Sequence, residues 1–322
     1  VRDAFRLRVE HAVDRFVVLD RRDSARAARM LATEEIDVLF DLNGYSDGEA
    51  LRIFAHRPAP LQINFLGYTG TLGSLHYDSI ISDRYCIPAE TESAYSERVV
   101  RVEPCYMPSD PLRSPEGPAP TRAQYGLPDY RVVFCAFAAV AKIVPDMFGT
   151  WMQLLRDVED SVLWLRPMPD DRAVRLRDVA ARLGVARERL VFAPNEPVQR
   201  YLARFALADV FLDSAPFGSH TTINDALFTG LPVVTIAGAS FAGRASASQL
   251  AALGLNALIA KDHAGYASIA SRLARSPTER AAVAHHLRDA ATRASLFDMD
   301  AHARAFEAAI LGEVARRAQA KG

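Results

Sequence analysis

The residue types best suited to chemistry gather in one stretch of the 322-residue chain, Asp209 to Thr235. A short apolar run, Val210 to Leu212, stops at Asp213, and Pro216, Gly218 and Ser219 then break the chain ahead of His220, Thr221 and Thr222. An apolar run of this length fits a buried parallel strand. Thr222 with Asp225 three residues on reads as a helix start, each side chain able to cap free backbone N–H groups. Gly230 ends that helix and Pro232 opens the next strand, Val233 to Ile236. The imidazole and hydroxyls thus fall at a helix N-terminus on the carboxyl end of a strand, where free N–H groups and the helix dipole favour an anion. Capping alone accounts for Thr222 and Asp225 equally well, with His220 an ordinary loop residue.

The elements around this stretch alternate. In the second half strands are predicted at 131–137, 161–165, 189–192, 209–212, 233–236 and 258–260, with helices at 145–157, 173–183, 197–206, 222–229 and 244–253 between them. Helical patterns at 266–274, 278–293 and 300–318 close the chain. The first half reads as strands at 15–19, 37–42, 61–66, 78–81 and 99–102, with helices at 24–35 (Ser24 as N-cap) and 48–56. Strand–helix alternation argues for parallel, doubly wound α/β sheets. Seven prolines between Pro104 and Pro128 exclude a helix or central strand there. The chain therefore divides into a first lobe (1–103), a linker (104–130) and a second lobe (131–322).

Bulk composition narrows the function. Lys+Arg 38 against Asp+Glu 39 leaves no basic surplus for nucleic acid. No apolar run approaches the ~20 residues of a membrane helix, and no secretory signal opens the chain. Cys86, Cys105 and Cys135 are odd in number and widely spaced, which fits neither a disulfide framework nor a zinc site and points to a reducing, cytoplasmic setting. There is no convincing Asp-x-Asp cluster for a metal, and the adjacent Asp170-Asp171 reads as a helix start. Val1 already lies in a charged helical pattern, so the chain reads as cut from a longer protein.

Several motifs in order resemble the O-linked N-acetylglucosamine (O-GlcNAc) transferase family. They are Phe54-Ala55-x-Arg57-Pro58-Ala59-Pro60-x-Gln62, Gly67-Tyr68-x-Gly70-Thr71-x-Gly73, Tyr95-Ser96-Glu97, Gly218-Ser219-His220-Thr221-Thr222 with Asp225, and Arg244-x-Ser246-x-Ser248-Gln249-Leu250. The likeness runs from about Asp37 to the last helix and implies a GT-B architecture, two Rossmann-like lobes with the active site in the crevice between them. It implies an inverting, metal-independent enzyme without a cofactor, moving N-acetylglucosamine (GlcNAc) from UDP-GlcNAc to Ser or Thr of a protein acceptor. Lys142, His220, Thr221 and Thr222 are then the diphosphate contacts, and Asp225 accepts from the ribose hydroxyls. Glu196, Tyr201 and Arg204 align with the base- and ribose-binding stretch. Gly70 and Thr71 lie in a flexible loop lining the sugar and acceptor side, and Asp41 is the carboxylate nominated as general base or electrostatic helper. Helical repeats upstream, and a His-Pro loop ahead of Val1, are further implications.

The chain also departs from the family pattern. Phe137-Ala138-Ala139 stands where relatives show Phe-Asn-Asn or Phe-Asn-Gln, and Thr69, Val198 and Tyr201 replace Pro, Lys and His. Two other readings stay open: a UDP-glucose-dependent N-glucosyltransferase of the same family, and a non-catalytic UDP-binding or interaction module; the UDP-sugar epimerases share only the two-lobe architecture. The epimerases lack the Gly-Tyr-x-Gly-Thr and Arg-Pro-Ala-Pro motifs.

Overall fold

The computed structural model describes residues 3–46, 50–114 and 118–321. Contacts divide the chain into two compact units, residues 1–80 with 94–98, and 81–93 with 99–322.

The early elements are α1 (Ala4–Ala12), α2 (Ser24–Thr33), β1 (Val38–Asp41), α3 (Leu51–Ala55), β2 (Leu61–Asn64), β3 (Ser79–Ser82) and β4 (Arg98–Arg101). Their sheet has the order β1-β2-β3-β4, with β1–β2 and β2–β3 parallel. All four residues of β2 are buried, as a central parallel strand requires. Two early expectations fail. Residues 15–19 form no strand, and Arg15, Phe16, Val17 and Val18 are exposed: apolar, β-branched residues alone make no strand without a ladder partner. Asp23 rather than Ser24 caps α2, its carboxylate accepting from Arg26 N. The expected start of the next helix, at Gly48, lies outside the described residues.

The later elements are β5 (Val132–Ala136), α4 (Pro145–Asp157), β6 (Ser161–Leu165), α5 (Asp170–Arg182), β7 (Leu190–Phe192), α6 (Val198–Ala203), β8 (Val210–Leu212), α7 (Thr221–Phe228), β9 (Val233–Ile236), α8 (Phe241–Ala252) and β10 (Ile259–Ala260). Four helices follow: α9 (His263–Arg275), α10 (Pro277–Arg288), α11 (Ala290–Phe297) and α12 (Met299–Lys321). The helix predicted over 278–293 is two, because Asp289 leaves helical geometry and caps α11 through Thr292 N. The six strands run β10-β9-β8-β5-β6-β7, with every neighbouring pair parallel. Counted from β5 this is the order 3-2-1-4-5-6 of a doubly wound dinucleotide-type sheet, whose winding reverses between β5 and β8. The core between sheet and helices holds Phe134, Trp151, Trp164, Phe211 and Tyr266, all nearly or fully buried.

The proline-rich stretch expected as a linker packs within the second unit. Cys105, Tyr106 and Met107 are buried, Arg122 Nη2 pairs with Asp209 at 2.8 Å, and Arg113 Nη1 pairs with Asp225 at 2.6 Å. Proline bars regular ladders but does not stop its neighbours from burying side chains.

Candidate functional site

In open α/β sheets a ligand sits outside the carboxyl ends of the strands where the winding reverses. In the second unit those ends are Phe137 to Lys142 after β5 and Asp213 to His220 after β8. The two loops are tied together: Lys142 Nζ donates to Gly218 O at 2.7 Å and lies 4.1 Å from the Phe217 ring centroid. Burial lowers the lysine pKa, opposed by the charge of Asp213. The cation is thus fixed where an anion is expected.

The β8–α7 loop is held from behind. Asp213 is fully buried, accepting from Ser219 N at 2.8 Å and Thr235 Oγ1 at 2.7 Å, and burial raises its pKa. Ser246 Oγ donates to Ser219 O at 2.6 Å, and Gln249 Nε2 to His220 O at 3.2 Å. At Gly243 an added Cβ would lie 2.6 Å from Pro216 O, so only glycine admits this close approach of α8. The Ser246 and Gln249 positions of the Arg-x-Ser-x-Ser-Gln motif are therefore braces for the loop. Ser248 instead donates to the buried Asp83 carboxylate, within the same unit.

The residues singled out at α7 come together with one change of role. His220 is the N-cap residue of α7 but makes no side-chain cap, and the expected Thr222–Asp225 capping pair does not form. Asp225 turns to Arg113 instead, because a partly buried carboxylate gains more from a guanidinium than from an N–H. Burial pushes the Asp225 carboxyl up to about 6, against the pull of Arg113. The His220 ring stacks on Phe217 at 5.8 Å, and its Nε2 is buried without a partner. Burial, then the charge of Lys142, lower its pKa to about 4, so the ring is neutral at pH 7. Thr221 is exposed at the first turn.

A cavity of about 240 Å³ opens beside this helix, at the ends of β5, β6 and β7. Phe137, Arg166, Glu196, Tyr201, Arg204 and Thr222 line it. Tyr201 and Arg204 do act together: the guanidinium lies 4.4 Å from the Tyr201 ring and 4.1 Å from that of Phe137. Arg204 is 3% exposed, with burial lowering its pKa. Burial raises the Tyr201 phenol. Tyr201 thus serves the aromatic core and the cavity wall at once. The side chain of Val198 lies outside the described residues.

In the first unit, Asp41 ends β1 nearly buried. Its Oδ1 accepts from Asn43 N at 2.9 Å and Gly44 N at 3.0 Å, and its Oδ2 from Tyr77 OH at 2.6 Å. That is the geometry of a strand-end cap, and both oxygens are engaged. The glycine loop, expected to be flexible, is pinned: Thr71 Oγ1 donates to Glu97 Oε2 at 2.6 Å, Leu72 N to Glu97 Oε1 at 2.6 Å, and Asn64 Nδ2 to Gly70 O at 3.0 Å. A Cβ at Gly67 would lie 1.9 Å from Leu42 O, so the loops after β1 and β2 touch backbone to backbone. Sequence reasoning missed Arg113 and Tyr125, whose hydroxyl donates to Glu196 Oε1 at 2.7 Å, because both come from the proline-rich stretch. Among the described residues no group of three or more His, Cys, Asp or Glu could hold a metal ion. Nor is any described helix long and apolar enough to cross a membrane.

A model of glycosyl transferase family 41 matches residues 2–111 and 116–306. The chain is 30% identical over 300 residues to the probable UDP-N-acetylglucosamine–peptide N-acetylglucosaminyltransferase SEC of Arabidopsis thaliana, covering 91% of this chain and 31% of the relative. To the probable transferase of the same description named SPINDLY, from the same plant, it is 32% identical over 273 residues, covering 83% and 29%. A variant of the Thermobaculum terrenum O-GlcNAc transferase superposes with TM-score 0.90 at 28% identity, covering 100% of this chain and 61% of that one. The Anabaena protein HepE, solved with UDP and glucose, matches with TM-score 0.64 at 15% identity over 88% of this chain and 80% of its own, a likeness of fold alone. The fold is that of GT-B glycosyltransferases, two parallel-sheet Rossmann-like lobes. The chain spans under a third of these two curated relatives.

Proposed function

This chain belongs to glycosyl transferase family 41, and from that premise we propose that it is the donor-binding and catalytic region of a transferase that moves GlcNAc from UDP-GlcNAc to Ser or Thr hydroxyls of proteins. The observation that carries the reading is Lys142 locked to Gly218 at the point where the second sheet reverses its winding, beside the N-terminus of α7. A diphosphate there meets a fixed cation and free N–H groups, which stabilise charge as it develops on the leaving group. The scheme is a single inverting displacement: the acceptor oxygen bonds to the anomeric carbon while the bond to UDP breaks, and the acceptor's hydroxyl proton passes to the departing diphosphate or to solvent. Lys142 and the helix N-terminus supply the positive charge, so the step needs no metal. The relatives named as peptide N-acetylglucosaminyltransferases support the sugar and the acceptor class.

The geometry supports the remaining roles. Thr221, Thr222 and His220 surround the diphosphate, and a neutral His220 is ready to take up a proton as that anion arrives. Asp225, kept charged by Arg113, accepts from the ribose hydroxyls. Asp41, with both oxygens engaged, shapes the loop instead of taking the acceptor's proton. We place the protein in the cytoplasm, in line with three buried free cysteines.

Ala138 and Ala139, which bring no amides ahead of Lys142, favour a second reading, UDP retention without turnover. Intact-mass detection of sugar transfer from UDP-GlcNAc to candidate acceptors, beside calorimetry with UDP-GlcNAc and UDP-glucose, tests both. Transfer of GlcNAc supports the enzyme; UDP binding without transfer selects the module; tighter binding and transfer of glucose selects the N-glucosyltransferase.

A further inference from the structure

One buried polar side chain behind the β8–α7 loop has no role above. Asn224, inside α7, is 1% exposed. Asparagine is a poor helix former, and a buried amide costs free energy unless its hydrogen bonds are made. Here they are made, each with a settled polarity. Gln249 Nε2 donates to His220 O at 3.2 Å, which leaves Gln249 Oε1 to accept from Asn224 Nδ2 at 2.9 Å. Ser109 Oγ also accepts from Asn224 Nδ2, at 2.7 Å. The amide is thereby oriented, and its Oδ1 accepts from Arg113 Nη2. Arg113 Nη1 pairs with Asp225 at 2.6 Å, and the guanidinium lies 4.5 Å from the Phe228 ring. A planar guanidinium forked onto two fixed acceptors and resting on a ring face has a defined orientation.

We propose that Asn224 is a positioning residue of the donor site: its Oδ1 orients the Arg113 guanidinium toward Asp225, and its Nδ2 ties that pair through Gln249 to the His220 carbonyl. The inference rests on the donor-site reading and adds the group that holds the phosphate end and the ribose end of that site in one register. Asn224 acts on the ribose end through Arg113. The other titratable groups that bear on this pair are Tyr201 beside Asp225, and Asp110 and Arg293 beside Arg113. Burial pushes the Asp225 carboxyl up to about 6 against the pull of Arg113. A guanidinium that loses its orientation pulls less, so the carboxyl rises further and the charged acceptor for a ribose hydroxyl is lost at a higher pH.

The test is calorimetry of the full chain with UDP over about pH 5 to 8, beside a carbon-13 NMR titration of the Asp225 carboxyl. Asn224→Leu, apolar and of similar shape, weakens UDP about 10-fold at pH 7, the scale of one hydrogen bond to a charged group. It also moves the midpoints of both titrations above those of the wild type. In the Arg113→Ala background the same substitution changes UDP affinity less than about twofold, because the group it acts through is absent. An amide that only fills the core would lower stability in urea, leave both midpoints in place and add fully to Arg113→Ala. That result overturns the proposal and leaves the donor site standing. Should the leucine variant not fold, Asn224→Ala carries the test through the same midpoints and the same cycle. Failure of the wild type to bind UDP at millimolar concentration overturns the donor-site reading and the proposal with it.

Discussion

The loops after β1 and β2 and those after β5 and β8 stand at the same place in their sheets, the carboxyl ends of parallel strands, and they are built in opposite ways. In the first unit the charged groups are saturated: Asp41 accepts from three donors, and Glu97 from Thr71, Ser96 and Leu72. Among its described residues, the buried side-chain atoms without partners are neutral amide oxygens, of Gln62 and Asn64, whose amide nitrogens are bonded. At the second sheet's loops the groups without partners are His220 Nε2, Ser219 Oγ, Glu196 Oε2 and Arg204 Nε, beside a desolvated Lys142. A buried polar group without a partner is a cost that a ligand can remove. Saturated groups of this kind hold a loop in shape; unsaturated ones at the carboxyl ends of the strands leave room for another molecule's polar groups.

The largest test of that contrast is Lys142→Ala. Removing the cation proposed to face the leaving group lowers the transfer rate about 10²–10³-fold, while urea denaturation and near-UV circular dichroism stay close to wild type. A wild-type rate would show that the lysine is only a tether between two loops.

His220→Asn probes the desolvated imidazole through pH. The ring's pKa falls from 6.5 to about 4 on folding. Its contribution to stability is therefore complete above pH 6.5 and lost as pH falls toward 4. Urea denaturation at pH 7 and pH 4 should show the wild type losing about 3 kcal/mol more than the variant over that interval. Asp225, whose pKa rises to about 6, shifts stability the opposite way over nearly the same range, so only the difference between the two proteins is informative.

Arg113→Ala leaves Asp225 partly buried without its cation. The variant loses about 2 kcal/mol at pH 8, less than a fully buried pair because both side chains keep some exposure. The loss shrinks below pH 6, where Asp225 takes a proton. A pH-independent loss would assign the effect to the packing of Arg113 on Phe228, 4.5 Å away.

The smallest effect belongs to the saturated side. Glu97→Gln keeps the shape but sets an amide N–H against Thr71 Oγ1 or Leu72 N, costing about 1 kcal/mol. UDP affinity by calorimetry should not move. A matching fall in UDP affinity would erase the distinction between the two regions.

Much of this was legible in the sequence, for a local reason. The strands β6 and β9 and the helix α4 occupy the residues that apolar runs and the Pro145 start signal, because buried parallel strands and capped helices leave their mark within a few residues. Residues 15–19 show the limit, since a strand exists only with a partner that no local pattern names. The site divides the same way. His220 and Thr222 are legible from a strand end and a helix start, whereas Lys142 enters only through the family resemblance. Asp225 is legible too, but as a helix cap, whereas its carboxylate pairs with Arg113, 112 residues away.

By itself, then, the sequence determined the alternation of elements, the parallel sheets and the loops at their carboxyl ends, since periodicity and punctuation are properties of neighbours along the chain. Only the tertiary structure decided which charges are neutralised and which are left open. That depends on groups brought together from distant positions, as Tyr125 is to Glu196 and Arg113 to Asp225. Desolvation, which sets their energies, exists only once the chain has closed around them.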